Sequence, residues 1–378
     1  MIPILWILFI SVPEDSNAHY LMDKQLAPYL PEWEVRFDST RYGLRTSQGC
    51  LDLLNWFIDL DIKYEVYLSK IIGLRYRHKY LGDYANHKNN HYFEPFFQLN
   101  PNLRLLLSIT THYYKGEDEL GIGFFLGKNY LNYINISLSV PNFDRNFSLK
   151  NTPDGQDKVI YQQHPVKLEL AINRYWNQGH LRLSAEATNR YYLHSTDEIE
   201  SIRENGLHRT LYLRMWQGIK RFGLAILFDY KQSELNTVDI PFTTSDRWYE
   251  IIAEPSFSYR FNPAWKPTLY LTYNYKKDDM NFFRPDIGDS VFNYSRNIFA
   301  YYLDLEYRPG GRFIWHFGTQ RQFYYNNQGR NTKERRLNLG FEYRYKKIWF
   351  YFMEAMEGDF PTEKYLHNHT YVQLLLKF

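Results

Sequence analysis

The sequence predicts an all-β chain: a closed antiparallel transmembrane β-barrel of about 18 strands, with about 16 as the next choice. Three observations carry that prediction. Apolar and polar residues alternate with period two through run after run of roughly ten residues, so each run is a strand with one uncharged face. The connections alternate between tight turns rich in Gly, Pro and Asn and long hydrophilic loops. Aromatic residues make up 19% of the chain, with 35 Tyr, 27 Phe and 9 Trp. Many of the Tyr end an apolar face, which is where a barrel carries its interfacial girdles.

Taken in order, the first element is the apolar run Ile2 to Val12. At about 11 residues it is too short to cross a bilayer as a helix. Pro13 and then Ser16-Asn17-Ala18 follow it, so residues 1–18 read as a secretory signal cut before His19, although no Lys or Arg precedes the run. Residues 19–30 are expected to be a short periplasmic segment, too small for a globular plug. Residues 31–378 are expected to form the barrel.

Its strands are expected at 31–40, 54–66, 69–80, 91–99, 103–114, 118–127, 130–142, 162–174, 180–192, 207–217, 221–231, 247–261, 267–276, 298–308, 312–323, 334–345, 347–356 and 369–378. In NWFIDLDIKYEV, Trp56, Ile58, Leu60, Ile62 and Tyr64 share one face, and Asp59, Asp61, Lys63 and Glu65 share the other. HPVKLELAIN sets Val166, Leu168, Leu170 and Ile172 against Lys167 and Glu169. HLRLSAEATNR sets Leu181, Leu183, Ala185 and Ala187 against Arg182, Ser184, Glu186 and Arg190. TLYLTYNYK and RRLNLGFEYRYK repeat the pattern, the latter with Leu337, Leu339, Phe341, Tyr343 and Tyr345 opposite Arg336, Glu342 and Arg344. Tight turns fall near Pro101, Lys128, Asn177, Pro263 and Gly310. Long loops are expected at 143–160, 193–206, 232–246, 277–297 and 357–368. Short turns at one end and long loops at the other mean that the strand number is even when both termini share an end.

The last run, YVQLLLKF, places Val372, Leu374, Leu376 and Phe378 in one phase. A terminal Phe with alternating apolar residues before it resembles the C-terminal signature of Gram-negative outer-membrane β-barrel proteins, porin-like in architecture. That resemblance covers about residues 31–378 and identifies no subfamily. It implies a place in the bacterial cell outer membrane, with periplasmic turns, extracellular loops, and contact with the lipid bilayer and lipopolysaccharide. It also implies that the barrel assembly machinery reads Leu374, Leu376 and Phe378 as a signal.

The totals exclude several classes. A net charge of +3 is too small to point to nucleic acid. The negative mean hydropathy hides no bundle of membrane helices. The lone Cys50 forms no intramolecular disulfide.

The expected function is an outer-membrane channel for passive or weakly selective passage of small hydrophilic solutes. An aqueous lumen accounts for the charged phase of the strands. The residues expected to line it are Asp59, Asp61, Arg75, Arg77, Arg104, Arg182, Glu186, Arg214, Asp304, Glu306, Arg336, Glu342 and Arg344. A turn centred near Leu68 would set Asp61 opposite Arg75 and Asp59 opposite Arg77, pairs that stiffen the wall by roughly 0.2–1 kcal/mol each. The longest loop, 277–297, carries Asp278, Asp279, Asp286 and Asp289 and could fold inward, but its spacing matches no EF-hand. No metal or cofactor is expected. Two alternatives remain: an enzyme acting on lipid or peptide, and an adhesion or assembly scaffold using its loops. For the enzyme, His112 lies four after Ser108 and His316 lies near Thr319 and Gln320, neither a recognised signature. Whether the chain forms a homo-oligomer stays open.

Overall fold

The computed structural model describes Trp33, Arg36, Phe37 and then 40–51, 55–83, 87–112, 119–141, 159–163, 166–189, 191–196, 201–239, 242–284, 288–329, 331–357 and 367–377. The secretory signal expected at 1–18, the segment 19–30 and the terminal Phe378 lie outside these residues.

The strands are β1 (Gly43–Leu51), β2 (Asn55–Tyr67), β3 (Ile72–Asp83), β4 (His87–Asn100), β5 (Leu103–His112), β6 (Glu119–Asn129), β7 (Asn132–Pro141), β8 (Val159–Gln163), β9 (Lys167–Trp176) and β10 (Gly179–Thr188). They continue with β11 (Tyr191–Thr196), β12 (Ser201–Ile219), β13 (Phe222–Asp239), β14 (Phe242–Tyr259), β15 (Trp265–Arg284), β16 (Gly288–Gly310), β17 (Phe313–Asn326), β18 (Asn331–Tyr345), β19 (Ile348–Glu357) and β20 (His367–Lys377). Each pairs antiparallel with its neighbours. The segments β8 and β9 lie along one wall strand, and β10 and β11 along the next, because β11 pairs with both β8 and β12 while β10 pairs with β9 and β12. The wall thus has 18 strands. It closes where Leu44 of β1 meets Leu376 of β20 on one side and Ile62 of β2 on the other. Closure leaves no free sheet edge, which is the condition for a sheet in hydrocarbon.

Exposure alternates as the period-two pattern predicts. Along β6, Phe124 is 52% exposed and its neighbour Phe125 only 2%. Leu120, Ile122 and Leu126 point outward with Phe124, as do Ile134, Ile136 and Leu138 on β7. The outer surface also carries aromatic girdles. At the short-turn end Trp265 stacks on Tyr307 at 4.2 Å, and Phe313 packs on Tyr343 at 5.0 Å. Towards the other end Tyr249 meets Tyr275 at 5.7 Å. The girdles stand about ten residues apart on β15, which at ~3.3 Å per residue and a tilt near 40° spans roughly 25 Å, the height of a barrel's apolar band.

Two short turns are held by residues that dislike them. Lys220 and Lys346 adopt φ of 55° and 43°. Left-handed backbone is comfortable for Gly and costs other residues about 1–2 kcal/mol. The β16–β17 turn meets the same demand with Gly310 and Gly311, at φ of 115° and 77°.

Three expectations are corrected. The first wall strand is β1, not 31–40: Trp33, Arg36 and Phe37 are helical. Trp33 and Phe37 sit in phase for a strand, but they are also four apart and so share a helix face. The segments 193–206, 232–246 and 277–297 are largely strand, because β12 to β16 run past the upper girdle. Lys277 pairs with Ser295 and Asp279 with Asn293 there, so 277–297 extends the wall instead of folding inward. Met280 to Phe283 and Val291 to Tyr294 supply the apolar and aromatic residues that favour extended chain. The β2–β3 register differs too: Glu65 faces Arg75, Lys63 faces Arg77 and Asp61 faces Lys79, because the turn spans 68–71.

Candidate functional site: the lumen and its short-turn mouth

Every residue expected to line the lumen lies in the inward phase of its strand: Asp59 and Asp61 on β2, Arg75 and Arg77 on β3, Arg104 on β5, Arg182 and Glu186 on β10, Arg214 on β12, Asp304 and Glu306 on β16, and Arg336, Glu342 and Arg344 on β18. Leu374 and Leu376 lie in the outward phase of β20. The inward groups fall into two regions of different character.

Along β2 to β10 the wall is a charge lattice. Asp61 accepts from Arg77 Nε at 2.8 Å and Nη2 at 2.5 Å, and from Arg45 at 3.3 Å. The expected partner Arg75 pairs instead with Glu94 on β4. Near the short-turn end, Arg104 donates to Tyr67 and Tyr130 hydroxyls and to Gln98, each at 2.9 Å, and reaches Glu65 at 3.4 Å. Its guanidinium lies 4.8 Å above Phe96. On β9, Lys167 bridges Glu169 and, from β6, Glu119. Arg182 and Arg214 are cross-strand partners, two cations side by side.

Along β15 to β20 more of the inner wall is packed out of solvent, with charged groups such as Arg336 and Glu342 buried among apolar ones. Tyr302, Tyr351, Met353, Ala355, Tyr371 and Leu375 are 0–4% exposed although they face inward. Gly318 makes room for the ring of Tyr302, whose Cε2 would lie 2.5 Å from any Cβ there. The N-terminal segment covers part of this surface. Trp33 and Phe37 pack into the cluster of Tyr351, Met353, Ala355, Tyr371 and Leu375. Trp33 meets Trp349 edge-on at 5.7 Å, and its Nε1 donates to Glu342 Oε2 at 3.2 Å. Phe37 is roofed by the Lys63 ammonium at 4.3 Å and by Arg45 at 5.2 Å. Arg36 lies 4.5 Å over Trp349 and donates to the carbonyl of Lys346.

Beneath the segment runs a buried relay. Glu342 accepts from Arg344 Nε at 2.7 Å and faces His316 Nε2 at 3.0 Å; His316 Nδ1 faces Asp304 at 3.1 Å. Tyr302 donates to Asp304 at 3.4 Å. A ring flanked by a carboxylate on each nitrogen donates from both only as imidazolium. His316 is therefore an ion-pair member, not a base beside a hydroxyl. His112 closes β5, and its side chain lies outside the described residues. Among the described residues, no cluster of His, Cys, Asp or Glu has the makings of a metal site.

A hollow of about 900 Å³ opens at the short-turn end between the two regions. His180, Trp216, Tyr270, Glu306 and Lys266 line it, together with Arg36. Sequence reasoning missed the N-terminal segment's place in the lumen. The signal available was the spacing of Trp33 and Phe37.

No family model matches the chain, and no curated protein matches it. Among solved structures it is similar to outer-membrane expressed OmpT of Vibrio cholerae, at 10% identity and a TM-score of 0.40, over 89% of this chain and 96% of that one. A bacterial polysaccharide outer membrane secretin gives 8% identity and a TM-score of 0.43 over 90% and 99%. The siderophore receptor PirA from Pseudomonas aeruginosa gives 10% and 0.37 over 90% and 80%. The closed sheet, the outward apolar stripes and the paired aromatic girdles make this chain a β-barrel of the bacterial outer membrane.

Proposed function

We propose that the chain is a channel for small hydrophilic solutes, narrowed at its short-turn mouth by its own N-terminal segment. One observation carries this reading: ionisable groups, Lys220, Arg221, Arg260 and Lys377 among them, line a hollow of about 900 Å³ that opens at the mouth and that water can fill. Pore radius and lining charge would set the selectivity. The segment bearing Trp33 and Phe37 occupies one side of the passage, so the open cross-section is smaller than an 18-strand wall would otherwise leave. The hydrolase alternative gains no support at His316, both of whose ring nitrogens face carboxylates. Reconstitution into planar bilayers tests the proposal. Discrete single-channel steps are expected in KCl, and their size should grow when Trp33→Ala and Phe37→Ala are combined. A purified, folded barrel that passes no current in either form would end it.

A further inference from the structure

The eight short turns of the barrel carry Lys70, Lys220, Arg221, Arg260, Arg312, Lys346 and Lys347 and no Asp or Glu. Cross-strand pairing at their flanks does not cancel this charge. Glu306 is held by Lys266 at 2.8 Å and by Arg308, and Glu342 by Arg344. Lys220, Arg221, Arg260 and Lys377, by contrast, make no ion pair among the described residues, and all four line the hollow. The backbone adds a second, independent observation. Lys220 and Lys346 occupy left-handed turn positions that Gly or Asn would fill without strain. A charged residue is therefore kept where the turn itself favours a different one. Deeper in the lumen, Arg182 and Arg214 stand side by side on the inner wall.

We propose that this mouth is an anion vestibule: a solute bearing phosphate, sulfate or carboxylate groups binds in the hollow through Lys220, Arg221, Arg260 and Lys377 before it enters the passage. The inference rests on the channel reading for the direction of travel, but the binding site stands on the mouth alone. Phosphate and carboxylate suit such a site because guanidinium groups grip them in a bidentate fashion and the ammonium groups add charge. The concave wall concentrates the field of the four cations in the hollow, so anions accumulate there at moderate salt.

The test uses the full chain in zwitterionic phosphatidylcholine bilayers, with inorganic tripolyphosphate as the probe. Under a KCl gradient the reversal potential should show chloride preferred over potassium by about threefold or more. Micromolar tripolyphosphate should block current from one side of the bilayer only. Raising KCl from 0.1 to 1 M shortens the Debye length from about 10 to about 3 Å, and block should weaken about tenfold. The triple variant Lys220→Gln, Arg221→Gln, Arg260→Gln should lose the one-sided block and most of the chloride preference while still giving discrete conductance steps. Steps that are cation-selective and insensitive to the probe would overturn the vestibule and leave the channel standing. Tripolyphosphate binding to the detergent-solubilised barrel, lost in the triple variant but accompanied by no current, would remove the channel and keep the anion site. Selectivity that appears only when phosphatidylglycerol is added would assign the basic turns to anionic lipid headgroups and overturn the proposal.

Discussion

The two regions of the inner wall are built from one alternating pattern and do different things with it. Along β2 to β10 charged groups pair with one another across strands, as buried Asp61 does with Arg77 and Arg45, whose own side chains stay partly solvated. Along β15 to β20 the inward positions include Tyr351, Met353, Tyr371 and Leu375, which are almost fully buried. An apolar patch facing an aqueous lumen is unfavourable by about 25 cal/mol per Å² of exposed apolar surface. Here that cost is avoided because the segment with Trp33 and Phe37 lies on it. The difference teaches that the apolar inner wall and the N-terminal segment pack as one structural unit, which the charged wall touches only where Lys63 and Arg45 lie over Phe37.

Removing the segment's anchors breaks that contrast most directly. Truncating a buried Trp or Phe to Ala costs roughly 3–5 kcal/mol, here charged to docking and not to the wall. The combined Trp33→Ala and Phe37→Ala variant should therefore keep the heat-modifiable gel shift of a folded barrel and show larger, noisier current steps. Loss of the folded band instead would mean that the segment is part of the wall's own stability.

Equivalent carboxylates compared across the two regions sharpen the point. Glu342 is fully buried beneath Trp33, and losing its charge leaves Arg344 without its carboxylate and His316 with Asp304 alone. Breaking such a buried pair costs about 3–5 kcal/mol, so Glu342→Gln should lower the urea midpoint of the refolded barrel markedly. Glu94, paired with Arg75 on the solvated side, is 16% exposed. Glu94→Gln should cost less, because Arg75 is 27% exposed and water from the lumen can replace its lost partner. Equal midpoint shifts for the two variants would show that the two regions of the wall are not energetically distinct. Between these extremes lies Gly318→Ala. A methyl there meets the ring of Tyr302, and overpacking of this kind costs about 1–3 kcal/mol.

The sequence made the wall legible and left the lumen's contents obscure, for a physical reason. Period-two alternation is set by the pleat itself, so Asp59 to Glu65 and Leu269 to Tyr275 sort onto their faces without reference to any neighbour. Register is set by where the turn is centred, and a hairpin centred on Lys70 instead of Leu68 moved Arg75 from Asp61 to Glu65. What covers an inward face is a tertiary question. Tyr371 and Leu375 alternate with Gln373 and Lys377 and look like ordinary lining, and nothing local says that Trp33 and Phe37 will pack against them. Likewise the run 277–297 looks hydrophilic because its charges are paired along the strand, Lys277 with Asp279 at 2.5 Å, and such pairing is invisible to composition.

The smallest expected effect distinguishes stability from function at the mouth. Lys220 and Lys346 hold left-handed backbone. Replacing either by Gly relieves about 1–2 kcal/mol of local crowding and gives back about 0.5–1 kcal/mol through the freer unfolded chain. The net gain is about 0.5 kcal/mol. Both Lys→Gly variants should therefore unfold at slightly higher urea. Their effect on anion block should differ, because Lys220 lines the hollow and Lys346 does not. Lys220→Gly should weaken tripolyphosphate block several-fold, and Lys346→Gly should leave it nearly unchanged. If both variants gain stability and neither alters the block, the lysines at these turns carry charge without a ligand, and the strained backbone has no bearing on what enters the barrel.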